Sequence, residues 1–189
     1  MADQNIDLEQ EKALFERLKS DPEAIGEVYD RYAKQLYAFL LKRCGHKETA
    51  EDLVALSFTR LLESSQKLEW KGVPVCAWLY RVATNALADH WRSSAVRKST
   101  SLDDEDEGWD PPSLDDPVWN AEMVIESERL RAAMDQLSTR DQEVLSLKFY
   151  AGLATEEVAQ ELGLSNNHAA VLVYRALGRM RKILTQTTK

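Results

Sequence analysis

The stretch TEEVAQELGLSNNHAAVLVYRALGRMRK, residues 155–182, decides how the C-terminal part of this chain folds. Thr155 is placed to cap a short helix holding Val158, Ala159 and Leu162. Gly163 makes a turn and Leu164 plugs the joint. Ser165 then caps a second helix with Ala169, Leu172, Ala176, Leu177, Met180 and Ile183 on its inward side. A small residue at 159, a glycine four later and apolar residues at 164, 169 and 172 fit a helix-turn-helix, because two helices that cross closely need little side chain at the crossing. The alternative is an ordinary pair of antiparallel helices. The outward side of the second helix holds Asn167, His168, Val171, Tyr174, Arg175, Arg179 and Lys182. Its late cations, Arg175 and Arg179 among them, suit DNA phosphates. Its early residues carry no cation. Asn166 and Asn167 suit adenine edges there, and Val171 suits a thymine methyl.

The rest of the chain also reads as helix. Upstream of 155, residues 122–137 are helical in period. Ser138-Thr139-Arg140-Asp141 resembles a capping box ahead of a helix that runs to about Tyr150 and breaks at Gly152. In the N-terminal part, Asp21-Pro22 opens a helix with a capping carboxylate and a proline at its first position. Its stripe is Ile25, Val28, Tyr29, Tyr32, Leu36, Phe39, Leu40 and Arg43, and Gly45 stops it. A second helix spans about Lys47–Ser64, with Ala50, Leu53, Val54, Ser57, Phe58, Leu61 and Leu62 inward. Pro74 opens a third, reaching about Arg97, with Val75, Trp78, Leu79, Val82, Ala83, Ala86 and His90 on one side. A short helix near Leu8–Leu18 completes a bundle. No strand alternation persists, and seven glycines and five prolines are few for a turn-rich β fold.

Two outward faces stand out. On the third helix, Arg81, Asn85, Ala88 and Arg92 form one polar strip at steps of four, three and four. Guanidinium and amide donors in a row suit phosphates and base edges, although a solvated face has the same look. Tyr80 and Trp91 flank the strip, and rings beside cations suit stacked single-stranded bases. On the second helix, Glu48, Asp52, Ala55, Leu56, Thr59 and Glu63 lie opposite the apolar stripe. An exposed leucine among carboxylates there suits a protein-docking patch.

Charge divides the 189 residues into three. Residues 1–98 hold 15 acidic and 15 basic side chains; residues 99–122 hold 9 acidic and none basic; residues 123–189 hold 8 acidic and 9 basic. The net charge of −8 therefore belongs almost wholly to STSLDDEDEGWDPPSLDDPVWNAE, which contains Pro111, Pro112 and Pro117. Such a run repels itself and buries little, so it reads as a flexible linker; a solvated acidic loop within one domain is the alternative. The expected fold is all-α: an N-terminal helix bundle over residues 1–98, an acidic linker over 99–121 and a helix-turn-helix domain over 122–189. No apolar run approaches the roughly 18 residues of a membrane span, and the polar start MADQNIDLEQEK is no signal peptide. Cys44 and Cys76 form no CxxC, which excludes a sulfur-ligated zinc finger and points to reduced thiols in the cytoplasm. His46, His90 and His168 lack metal spacing, and no glycine-rich phosphate loop occurs. An enzyme, a metal and a cofactor are all unexpected, as are a small-molecule substrate and membrane insertion.

WLYRVATNALADHWR (78–92) resembles the signature of extracytoplasmic-function (ECF) sigma factors of the sigma-70 family. YDRYAKQLYAFLLKRCGHKETAEDLV (29–54) and LSTRDQEVLSLKFYAGLATEEVAQELGLS (137–165) are similar to the same family, in the same order. The resemblance implies a transcription initiation factor that binds core RNA polymerase and promoter DNA, with an anti-sigma factor as a further candidate partner. It implies that Glu48, Asp52, Leu56 and Thr59 dock on polymerase. It assigns Lys71, Tyr80, Arg81, Asn85, Trp91 and Arg92 to the −10 element. It assigns Asn166, Asn167, His168, Val171, Tyr174, Arg175 and Arg179 to the −35 element. The family usually carries Gln-Glu where this chain has Ala55-Leu56, and basic residues near positions 170 and 172, where Ala170 and Leu172 stand. The competing readings are a sigma-like decoy that sequesters a regulator and a free-standing helix-turn-helix repressor.

Overall fold

A computed structural model describes residues 7–100 and 121–186, with side chains for 7–94 and 128–186. The acidic segment expected as a flexible linker lies outside the described residues over 101–120. Among the described residues there are helices and no strand.

Local chemistry sets most of the helix ends. In α1 (Leu8–Arg17) the Asp7 carboxylate accepts the Glu9 and Gln10 N–H groups at 3.0 and 3.4 Å. In α2 (Pro22–Cys44) Asp21 accepts the Glu23 N–H at 3.0 Å, and Gly45 ends the helix in the left-handed region at φ 79°. Helix α3 (Lys47–Ser64) runs into a short 3-10 turn, Ser65–Lys67. Helix α4 (Val75–Thr100) follows the loop over 68–74, and α5 spans Ala121–Asp135.

Helix α6 (Thr139–Leu145) is capped by Ser138, whose oxygen accepts the Asp141 N–H at 3.2 Å. Asp141 does not return the favour to the Ser138 backbone as a full capping box would. It accepts the Ser138 hydroxyl proton and an arginine instead. A π turn, Ser146–Tyr150, extends α6, and Gly152 follows it at φ 74°. In α7 (Thr155–Leu162) the cap position is Ala154, not Thr155 as expected, and the Glu157 carboxylate accepts the Ala154 N–H at 2.7 Å. Ser165 caps α8 (Asn166–Gln186) by accepting the His168 N–H at 3.3 Å.

Gly163 links α7 to α8 at φ 65°, and nothing lies within 4 Å of a Cβ built there. The turn therefore needs glycine for its backbone conformation rather than for close packing. Ala159 is the small residue at the crossing, and it is buried.

One main core is built from α1 to α4, with Val28, Leu36, Phe39, Leu40, Leu61, Leu79 and Leu87 fully enclosed. It does not stop at the C-terminal half. Leu147, Leu153, Val158, Ala159 and Ala169 belong to the same cluster, and Tyr150 packs edge-on against Phe39 at 4.6 Å between ring centroids. A smaller core of Met134, Leu137, Leu145 and Ala176 ties α5, α6 and α8 together. Three residues expected to face inward do not: Tyr29, Leu62 and Leu177 are exposed. Each lies at the margin of its stripe; Tyr29 keeps a ring contact with Phe58 of α3 at 4.9 Å between centroids.

A buried carboxylate fastens α1 to the bundle. Glu11 has no exposed surface and accepts the Tyr32 hydroxyl proton at 2.7 Å, the Val75 N–H at 3.1 Å and an Arg31 N–H. Val75 opens α4, so this carboxylate also sits at the positive end of that helix.

Candidate nucleic-acid interface

The exposed side of α3 presents Glu48, Asp52, Ala55, Leu56 and Thr59. Their spacing of three and four keeps them opposite Leu53, Val54, Phe58 and Leu61, which are buried. The Thr59 hydroxyl donates to the Ala55 carbonyl at 2.8 Å, so it is already engaged by its own helix. Asp52 and Leu56 also line a groove with Arg60, Asp89 and His90, where α3 meets α4. The patch is thus acidic at one end and mixed at the other.

The strip on α4 is less open than its spacing suggests. Arg92 is exposed and pairs with Asp89 one turn earlier. Asn85 and Ala88 are half-buried, because α6 and its π turn pack along this side of α4. Trp91 is half-buried too, with its ring edge-on to His90 at 5.3 Å. Tyr80 is a correction. Only 5% of it is exposed, and its ring is held edge-on to Phe39 at 5.1 Å in the main core. Its position next to Leu79 places it on the buried side once α2 and the π turn close over it. Burial pushes its phenol well above the ordinary value.

Arg81 and Lys71 converge on one carboxylate. Arg81 Nε lies 2.6 Å from Glu161 Oε1, a close ion pair without hydrogen-bond alignment. Lys71 Nζ lies 3.7 Å from Glu161 Oε2 and donates to the Glu161 carbonyl at 2.7 Å. Phe15, Trp70, Trp78, Lys71, Arg81 and Glu161 line one pocket of 240 Å³. Glu161, in α7, is 3% exposed. Nothing in its own neighbourhood of the sequence marks it; a carboxylate at the end of a short helix reads as solvated.

Helix α8 keeps its first turn free. Asn166, Asn167 and His168 are exposed, Val171 is half-buried, and Tyr174 and Arg175 are exposed. Arg179 has a protein partner: its Nε donates to Asp141 Oδ2 at 2.8 Å, and Nη2 reaches Oδ1. Those hydrogen bonds hold the Arg179 guanidinium above its ordinary pKa. Asp141 is buried, so this pair pins α8 to the start of α6. Of the two late arginines assigned to the −35 element, Arg175 has no such carboxylate pair among the described residues.

A buried cation was missed by sequence reasoning as a functional residue, although its place on the α2 stripe points inward. Arg43 is 2% exposed and donates from Nη2 to Asp135 at 3.1 Å and to Gln142 at 3.0 Å. Its Nε and Nη1 have no hydrogen-bond partner among the described residues. Burial depresses Arg43 and raises Asp135, outweighing their mutual attraction. Among the described residues, no group of three or more His, Cys, Asp and Glu side chains is arranged to hold a metal, and no helix is long and apolar enough to cross a membrane.

Comparison with known proteins adds two family matches. The model for Sigma-70 region 2 matches residues 28–97, and that for Sigma-70, region 4 matches residues 127–180. The ECF RNA polymerase sigma factor BldN of Streptomyces coelicolor is 31% identical over 90% of this chain, which spans 64% of that protein's length. The RNA polymerase sigma factor YlaC of Bacillus subtilis is 26% identical, with 87% of this chain and 94% of that protein covered. Among solved structures, the sigma factor RpoE of Bartonella quintana, determined in complex with the anti-sigma factor NepR, superposes with a TM-score of 0.57. That likeness covers 85% of this chain and 96% of RpoE at 20% identity, and it is a likeness of fold.

Proposed function

The chain belongs to the ECF group of the sigma-70 family, and we propose that it works as a transcription initiation factor that binds core RNA polymerase and directs it to specific promoters in the cytoplasm. The observation that carries this reading is the occurrence, on one short chain and in order, of the region 2 helices and a helix-turn-helix whose recognition helix leaves its first turn free. A free-standing repressor leaves the region 2 half without a use.

The work divides among the faces. The α3 patch of Glu48, Asp52 and Leu56 docks on polymerase. The α4 strip of Arg81, Asn85 and Arg92, with Lys71 from the preceding loop and the edge of Trp91, meets the −10 element. Cations and a half-exposed ring there suit a separated strand, where phosphates and unstacked bases are both within reach. Tyr80 is taken out of that set by its burial. The first turn of α8 enters the major groove at the −35 element. Asn166, Asn167, His168 and Val171 face base edges, while Tyr174 and Arg175 face the backbone. Catalysis belongs to the polymerase. RpoE was solved with an anti-sigma factor, and this chain takes a regulator of that kind.

Run-off transcription with purified core polymerase and a genomic promoter library tests the reading. The expected result is discrete transcripts that depend on this chain and share −10 and −35 motifs. Asp52→Arg, on an exposed position, is expected to weaken capture of core polymerase while the helical spectrum stays unchanged. Tight binding of an anti-sigma regulator without promoter-specific transcripts would instead favour the decoy.

A further inference from the structure

Helix α1 and the loop that leads into α4 run side by side in opposite directions. Glu11, Phe15 and Lys19 follow at four-residue steps down α1 and through the turn after it, so they fall on one side. Each meets one point of the stretch 66–75, in reverse order. The Glu11 carboxylate accepts the Val75 N–H at 3.1 Å where the loop ends. The Phe15 ring lies against Trp70 in the middle, at 5.3 Å between centroids. The Lys19 carbonyl accepts a Gln66 side-chain N–H where the loop begins. The Lys19 ammonium also lies over the Phe15 ring, 5.7 Å from its centroid.

Between these anchors stands Lys71, the loop residue assigned to the −10 element. Lys71 is exposed, but its neighbours are fixed. Trp70 is half-buried against Phe15, Gly72 turns the backbone at φ 75°, and Val73 is buried in the main core. Helix α1 itself lies wholly ahead of the region 2 match, which begins at Val28.

We propose that α1 is a brace for promoter recognition: Glu11, Phe15 and the Lys19 carbonyl hold the stretch 66–75 in place, so that Lys71 is presented to the −10 phosphates already positioned. Glu11 and Phe15 touch no DNA in this arrangement; they are positioning residues that act through Lys71. The proposal rests on the assignment of Lys71 to the −10 element. A loop ordered during folding does not have to be ordered again when the strand arrives, so the same contacts bind more tightly. The anchors grip the loop backbone, the Trp70 ring and the Gln66 amide, not the ammonium. They therefore hold whichever acceptor the ammonium takes, a carbonyl as here or a phosphate. They also differ in depth. Glu11 and Phe15 are buried, whereas Gln66 is exposed, so the Gln66 contact can be cut without opening the core.

The test uses holoenzyme reconstituted from core polymerase and the full chain. Gln66→Ala cuts the exposed anchor. Phe15→Leu keeps an apolar side chain in the core and removes the ring. The probe is the fluorescent non-template −10 strand of a promoter found by run-off transcription, with its −35 duplex as the control. Each variant is expected to bind the −10 strand about fivefold more weakly, because the loop must then be ordered on binding. Affinity for the −35 duplex and for core polymerase should match the parent. Amide hydrogen exchange over residues 68–74 should quicken in both variants. Phe15→Tyr, which keeps the ring, should bind as the parent does. Because the anchors act through Lys71, adding Gln66→Ala to Lys71→Ala should weaken binding by less than about twofold more. Parent-like −10 binding in both anchor variants overturns the brace, as does a fully additive loss in the double variant or an equal loss on −10 and −35 DNA. Lys71→Ala alone separates the brace from the assignment beneath it. If that variant binds the −10 strand as the parent does, the assignment falls and the brace with it. If it binds weakly while the anchor variants do not, the brace alone falls.

Discussion

Glu11 shows how much one side chain can hold. Its carboxylate joins Arg31 and Tyr32 of α2 to the first N–H of α4, with no surface of its own exposed. Truncation leaves the Tyr32 hydroxyl and the Val75 N–H without their acceptor. A buried donor left unpaired costs about 1–3 kcal/mol, so Glu11→Ala is expected to lower stability by about 2–4 kcal/mol. Urea unfolding of the full chain measures it, and a midpoint within error of the parent would contradict the role. The sequence does not disclose this residue. Glu9 and Glu11 both fall in the first turn of an amphipathic helix, where carboxylates serve the helix dipole in solvent. Only the distant Val75 and Tyr32 tell them apart. Arg43 was hidden for the opposite reason: its spacing put it on the inward stripe, but an arginine on such a stripe gives no clue to partners 92 and 99 residues away.

At the scale of elements, the helices were largely written in their ends. Asp21-Pro22, Gly45, Ser138, Gly163 and Ser165 each satisfy or terminate a local hydrogen-bonding requirement, and such signals act over four or five residues. Faces were harder. Tyr80 was lost from the −10 strip because its burial depends on α2 and the π turn, which no period within α4 can announce. Helix α8 now divides differently from its cation pattern. Arg175 is exposed, whereas Arg179 is committed to Asp141. Arg175→Ala is thus expected to weaken binding to all −35 sequences alike and to lower the salt slope by about one. Arg179→Ala should lower the melting temperature first, because it strips a buried carboxylate of its cation. Asn167→Ala is expected to relax preference at one base pair, by roughly 1–3 kcal/mol where the contact is bidentate. A randomised −35 library at two salt concentrations, with melting curves for each variant, separates the three. A uniform loss for Asn167→Ala would show that this turn does not read bases.

For the whole molecule, the continuous core makes a claim about cooperativity. Phe39 touches Tyr80 on one side and Tyr150 on the other, and Leu147, Val158 and Ala169 extend the same cluster across the two halves. Composition reveals two helical sets and an acidic run between them, yet not their docking, because the docked residues come from the inward stripes of both. Unfolding of the free chain is therefore expected to be one transition rather than two. The buried thiols and phenols give that transition a pH signature. Burial pushes Cys76 from 9.0 up to about 12, and it raises Cys44, Tyr32, Tyr80 and Tyr150 as well. Below pH 9 these groups are protonated in both states and do not affect the balance. Above its own unfolded value, 9.0 for the thiols and 10.0 for the phenols, each group loses its proton in the unfolded chain and keeps it in the folded one, so unfolding gains about 1.4 kcal/mol per pH unit for each. For Cys76 the loss begins at its unfolded value of 9.0 and continues until the folded thiol itself ionises near 12. Stability should accordingly be level from pH 7 to 8.5 and fall steeply from pH 9, with both thiols shielded from Ellman's reagent until the transition. Tryptophan fluorescence, helical ellipticity and thiol release followed together along a pH series check this. Coincident curves with an alkaline drop support one core, whereas thiol release ahead of the loss of helix would show that the N-terminal bundle opens on its own.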